Sequence, residues 1–173
     1  MKKVLNSDVV IASEEELRFT TQMLIRYASD YYKAYEALVE KYPKFGDLFP
    51  VKYFLVCRSL ELAMKAYLRE SGLTKQEVKS HSHDLEKLMK AVQVKGVVFS
   101  PIIQETIKFV NLTYRPKDFE YPEMGTKEVP ELSPLASMVS LVINLATSKY
   151  MRRKGIMPKG EDLPDDVPIP DFP

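Results

Sequence analysis

Only one cysteine, Cys57, and only two histidines, His81 and His83, occur in 173 residues. A lone cysteine excludes an intramolecular disulfide, and on the apolar side of its helix it reads as an inert core thiol suited to a reducing cytoplasm. Two adjacent imidazoles beside Asp84, with no further matching ligands, make a weak metal site, so no metal and no other cofactor is expected. CxxC, HExxH, the ExxH pairs of di-iron bundles and a glycine-rich phosphate loop are all missing, which removes redox, zincin, di-iron and P-loop chemistries. No segment sustains a two-residue apolar alternation, so no sheet is expected, and there is no internal repeat. Charge of one sign is missing too. The 25 basic residues nearly balance the 24 acidic ones, so any binding to nucleic acid must come from a local patch rather than the whole-chain field. The most apolar stretch, Leu135 to Ala146, is 12 residues long with Asn144 inside it, too short to span a bilayer. The opening MKKVLNSDVVIA is broken by Asn6, Ser7 and Asp8 and is not expected to be a signal peptide. A cytoplasmic protein without a membrane partner is the expectation.

Helical periodicity, in contrast, is abundant. Ser13 with Glu16 predicts a capping box, and Leu24, Tyr27, Ala28, Tyr31, Tyr35, Leu38 and Tyr42 trace an apolar face that Pro43 ends. That tyrosine stripe reads as core, with base stacking as the functional alternative. From Pro50 a second helix runs to Ser71 before Gly72, apolar over most of its surface: Val56, Cys57, Leu60, Ala63, Met64, Tyr67 and Leu68 share one side, Leu55, Leu62 and Ala66 another. Such a helix belongs in the middle of a bundle. Thr74 with Glu77 predicts a short helical element to about Ser80, and Leu85, Leu88, Met89 and Val92 give an apolar face between Asp84 and Lys95. Ser100 and Pro101 open a helix to Tyr114 that turns Ile103, Thr106, Ile107, Val110 and Tyr114 inward, and Ser133 and Pro134 open the last, to Arg153. The fold class is therefore all-α, an antiparallel up-and-down bundle of four to five helices. Residues 1–157 form one domain, and 158–173 are a proline- and acid-rich extended tail.

One narrow stripe interrupts the apolar surface of the second helix: Arg58, Glu61, Lys65 and Arg69 recur at helical spacing, with Glu61 four residues before Lys65. It reads as either a solvated seam or the floor of a site. His83 is expected in the first turn of its helix, after a turn that returns it toward this stripe. Asp84 and Glu61 would favour imidazolium there and the helix dipole would oppose it. The alternative role is to pin the turn by hydrogen bonds.

The run SLELAMKAYL, a short spacer and then SHDLEKLM resemble the signature of HEPN-domain proteins. A second patch, FVNLTYRPKDFEYP with Asn111, Tyr114, Phe119, Tyr121 and Pro122, is similar to a stretch that follows the third long helix in several of those families. Together the patches and their helices cover most of Ser13 to Gly155. The resemblance implies a compact helical bundle found with prokaryotic nucleotidyltransferases and in toxin and phage-defence systems, and commonly a homodimer. It also implies a ribonuclease motif, an arginine followed a few residues later by a histidine on a late helix. That motif is absent here, since Arg152 and Arg153 have no histidine after them.

Available for phosphate are then Arg58, Lys65 and Arg115, with Tyr114 and Tyr121 as base or sugar contacts. The expected ligand-binding set is Arg58, Glu61, Lys65, His83, Asp84, Tyr114, Arg115 and Tyr121, with Arg58, Glu61, Lys65, His83 and Tyr121 meeting in one cleft. The functional expectation is a HEPN-like nucleotide- or RNA-binding module, with a nucleotidyltransferase-type protein as a possible partner and catalysis not expected beyond a degenerate or unconventional ribonuclease. The alternative is a catalytically inert interaction domain, homodimeric through the apolar last helix or adapting through its acidic tail.

Overall fold

Caps and stops divide the chain into helices at nearly the expected boundaries. The computed structural model describes residues 20–44, 46–119 and 130–157. Within them stand α1 Thr21–Lys41, α2 Phe49–Glu70, α3 Lys75–Ser80, α4 Leu85–Val94, α5 Pro101–Tyr114 and α6 Leu132–Arg153, with no strand among the described residues. The protein is an all-α helical bundle.

Local chemistry explains each boundary. Thr20, in extended backbone, caps α1 by accepting from Met23 N at 3.2 Å, so this helix starts at Thr21 rather than running unbroken from Ser13, whose capping box lies outside the described residues. Gly72, at φ +93°, ends α2 in a left-handed turn that lets Leu73 N donate back to Leu68 O. The Thr74 and Glu77 capping box forms as expected. Asp84 and Ser100 cap α4 and α5. At α6 the cap position is Glu131, which makes no side-chain cap hydrogen bond. Ser133 is already helical, and its hydroxyl donates to the Glu131 carboxylate instead.

α2 lies at the centre, and its two apolar sides are buried against the other helices. Ser59 Oγ donates to Ala28 O and Lys52 Nζ reaches Tyr42 O at the end of α1, so α1 and α2 run antiparallel. α6 lies along α2 in the same direction: Tyr53, near the start of α2, donates to Pro130 O, and Arg153 pairs with Glu70 at the other end. The turn after α5 ends beside the start of α2, where the Phe119 ring lies 5.5 Å from Tyr53 and edge-on to Phe49 at 6.5 Å.

Two packing details depart from the sequence pattern. In α1, Ile25 is buried and Tyr27 is 47% exposed, so the buried stripe is rotated toward Ile25 and Ser29. α6 spends its apolar face inside the bundle, burying Leu135, Val139, Val142, Ile143 and Ala146, which leaves Leu141 as its exposed large apolar side chain. No described helix is long and apolar enough to cross a membrane.

Candidate functional site

The charged stripe of α2 is not a solvated seam. Glu61 is fully buried, and its carboxylate collects four partners from three parts of the chain. Lys65 Nζ lies 2.6 Å and Arg58 Nη1 3.0 Å from Oε1, while His83 Nδ1 lies 3.0 Å and the Tyr114 hydroxyl 2.5 Å from Oε2. An isolated buried carboxylate would be strongly destabilising, so the fold supplies charge and donors to every lone pair that faces inward. Burial by itself would raise the Glu61 pKa. The charges of Lys65 and Arg58, with hydrogen bonds from Lys65 and Tyr114, outweigh it and hold Glu61 below the usual carboxylate range. Tyr114 moves the opposite way: burial and then the Glu61 charge push its phenol far above its ordinary range, so it remains a donor.

These partners fix the protonation of His83. A carboxylate can only accept, so the ring nitrogen at 3.0 Å from Glu61 Oε2 carries the proton. The 3.5 Å approach of Arg58 Nη1 to the same nitrogen is then a close contact between two donors. Nε2 has no partner among the described residues, on a side chain that lines a cleft.

Local structure holds the histidine in place. Ser82 sits in the left-handed region at φ +52°, and Asp84 N donates to His81 O at 3.1 Å, closing a tight turn. His83 therefore precedes the α4 cap and is not in its first turn, because Asp84 takes the capping position and accepts from Lys87 N at 3.1 Å. Asn111 of α5 clamps the same junction, its Oδ1 accepting from Leu85 N at 2.9 Å and its Nδ2 donating to Asp84 Oδ1 at 3.1 Å. Asp84 is thus a buried cap and does not line the cleft.

The cleft, about 210 Å³ in volume, is lined by Tyr31 of α1, Phe54 and Arg58 of α2, His83, Tyr114 of α5 and Lys117 of the following turn. Tyr31 stands edge-on to Phe54 at 6.3 Å. Of the expected convergence, Arg58, Glu61 and His83 meet, and Tyr114 joins them. Lys65 does not line the cleft, because Glu61 consumes its charge inside the protein. Arg115 is also turned away, 64% exposed and 3.6 Å from Asp84 Oδ2. Tyr121 lies outside the described residues.

Lys117 was missed from the sequence. It occupies the left-handed region at φ +68°, its amide donating to Tyr114 O at 3.0 Å. The signal available was Pro116, which forbids continuation of α5 and forces a turn just beyond Tyr114. A lysine held in a sparsely populated conformation beside a cleft is a pattern that clusters at functional sites.

Chemically, the floor holds one carboxylate against two permanent cations, Arg58 and Lys65, and Lys117 adds a third charge at the wall. The excess is positive. Cys57, nearby on α2, takes no part: burial, then the Glu61 charge, push its thiol up out of the reactive range. Among the described residues no group of His, Cys, Asp and Glu is placed to hold a metal ion. No protein-family model, no curated protein and no solved structure matches the chain.

Proposed function

We propose that the chain is a HEPN-like nucleotide- or RNA-binding module whose phosphate site is the cleft above Glu61. One observation carries this reading: the cations of Arg58 and Lys117 and the imidazole of His83 line the same small cleft as the rings of Tyr31, Phe54 and Tyr114. Phosphate recognition needs uncompensated positive charge and donors, and a base needs an aromatic wall. Arg58 offers the guanidinium nitrogens that Glu61 leaves unused, Lys117 a point charge, and protonated His83 a further donor at Nε2. Tyr31 and Phe54 supply the apolar surface. The role is binding, since the Arg–His ribonuclease motif of the resembled family is absent. The same resemblance supports a toxin, defence or nucleotidyltransferase-associated setting, with such a protein as partner.

The test is calorimetric titration of ADP and of pyrophosphate into the wild type and into His83→Ala/Lys117→Gly. Both ligands are expected to bind the wild type and the double variant to lose most of that affinity; His83→Ala also removes a Glu61 partner and lowers the thermal midpoint, whereas Lys117→Gly alone weakens binding without that loss. A wild type that binds neither would overturn the reading.

A second reading, a homodimeric interaction domain, is favoured by α5 and not by the last helix. Ile102, Phe109 and Leu112 are 72%, 40% and 72% exposed on one side of α5, whereas α6 is occupied within the bundle. Sedimentation of Phe109→Glu against the wild type decides it: a dimer that this change dissociates supports the reading, and a wild-type monomer refutes it.

A further inference from the structure

His83 combines a held proton with a free lone pair. Its Nδ1–H donates to Glu61 Oε2 at 3.0 Å, which puts the lone pair of the neutral ring on Nε2. That nitrogen has no partner among the described residues, and the side chain is 39% exposed where it lines the cleft. Glu61 holds the ring from the buried side. Arg58 approaches Nδ1 at 3.5 Å, and Lys117 and Tyr114 line the same cleft.

A carboxylate on Nδ1 makes an imidazole a better nucleophile, because the positive charge that develops on the ring as Nε2 forms a bond is met by the negative charge behind it. Glu61 is suited to this. Burial opposes its ionisation, but the Lys65 and Arg58 charges outweigh burial and keep it a carboxylate. Arg58 is a permanent cation, and burial, then the Glu61 charge, push the Tyr114 phenol far above its ordinary range. The cleft therefore sets one nucleophile against fixed positive charge, which suits the acceptance of a phosphoryl group.

We propose that His83 Nε2 is a phosphoryl-accepting nucleophile that takes the group from a phosphoramidate donor. The step rests on the reading of the cleft as a phosphate site, with Arg58 and Lys117 on the phosphoryl oxygens, and goes beyond it in making the contact covalent. A P–N donor is named because the bond formed is itself P–N, so the two match in transfer potential. The Nε2 lone pair forms the new N–P bond, and the donor's P–N bond breaks with its electron pair on the departing amine nitrogen. The proton that this nitrogen carries in the donor leaves with it. His83 keeps its Nδ1 proton against Glu61, so the phosphorylated ring is cationic and the carboxylate balances it. Tyr31 and Phe54 give the leaving group an apolar wall.

The experiment incubates the full chain with potassium phosphoramidate at mildly alkaline pH and locates the label by peptide mass spectrometry and the ³¹P spectrum. His81 is the internal control. It too is half-buried, and burial, then the Lys65 and Lys87 charges, lower its pKa, so its ring is neutral and available, but no carboxylate hydrogen-bonds to it among the described residues. His83 is expected to label on Nε2 roughly tenfold faster than His81, a modest share of what preorganised charge contributes. Lys117→Gly should slow His83 and leave His81 unchanged, and in denaturant the two histidines should label alike. Equal or faster labelling of His81 in the folded chain, label on His83 Nδ1, or a Lys117→Gly rate equal to the wild type would overturn the proposal. Titration with ADP separates this step from the reading beneath it. ADP bound by a chain whose His83 does not label overturns the phosphoryl step alone, and a labelled His83 in a chain that binds neither ADP nor pyrophosphate overturns the nucleotide reading alone.

Discussion

The middle and the C-terminal end of α2 carry charge in different ways. In its middle, around Glu61, charge is buried and balanced by partners from α2, α5 and the turn before α4. At its C-terminal end, around Ser71, basic side chains from three helix ends stand near the surface, Arg153 on Glu70 and Lys149 on Ser71. The first arrangement makes the fold depend on the charges, while at the second Arg153 holds Glu70 and Lys149 holds Ser71 but Lys95 and Lys154 stand exposed. A binding role at the cleft must therefore come from what remains after Glu61 is satisfied.

Substitutions should separate the two regimes. Glu61→Gln should be the most damaging, because it leaves Lys65 buried without full counter-charge. A loss of about 3–5 kcal/mol is expected, read from chemical denaturation. Acid should reach the same network late. The folded-state pKa of Glu61 is depressed, so its contribution is fully present above its unfolded value of about 4.5 and is lost as pH falls through the lower folded value. A stability profile flat down to that region and falling below it is expected, and loss of stability already between pH 7 and 5 would contradict the assignment.

Asp84→Ala removes the α4 cap and the Asn111 partner together, and should cost about 1–2 kcal/mol, with the His83 signals shifting in a heteronuclear spectrum. Lys117→Gly should do the reverse of a core change. Relief of the left-handed backbone should leave stability equal or raise it by about 1 kcal/mol, while pyrophosphate affinity falls. Smallest of all, Lys95→Gln/Lys154→Gln should move stability by no more than about 0.5 kcal/mol, since neither lysine holds the fold together. A large destabilisation there would erase the distinction between the two regions.

Much of the fold was legible because helix boundaries are local chemistry. Thr74 with Glu77, Ser100 with Pro101, and Gly72 each act within a turn of their own position, and each did so. The site was legible only in outline. Arg58, Glu61 and His83 could be brought together by helix periodicity and a reversing turn. Whether the stripe faced water or protein could not, because burial depends on which helices pack over it. For the same reason Lys65 was assigned to a ligand although Glu61 takes it, and Asp84 was assigned to a ligand although the α4 amides and Asn111 take it. Lys117 escaped because its position follows from a left-handed residue after Pro116, a backbone conformation that lysine itself does not advertise. The gathering of basic side chains at the end of α2 was hidden differently. Its members are far apart in sequence, and the KYMRRKG run alone reads as ordinary dipole complement.

The most direct measurement is the imidazole nitrogen spectrum of the uniformly ¹⁵N-labelled protein, in which only His81 and His83 contribute. In the neutral state His83 should show a protonated Nδ1 held by Glu61, and its Nε2 resonance should move when pyrophosphate is added, while His81 stays still. A His83 with its proton on Nε2, or one whose nitrogens ignore pyrophosphate at concentrations that saturate binding, would contradict the account.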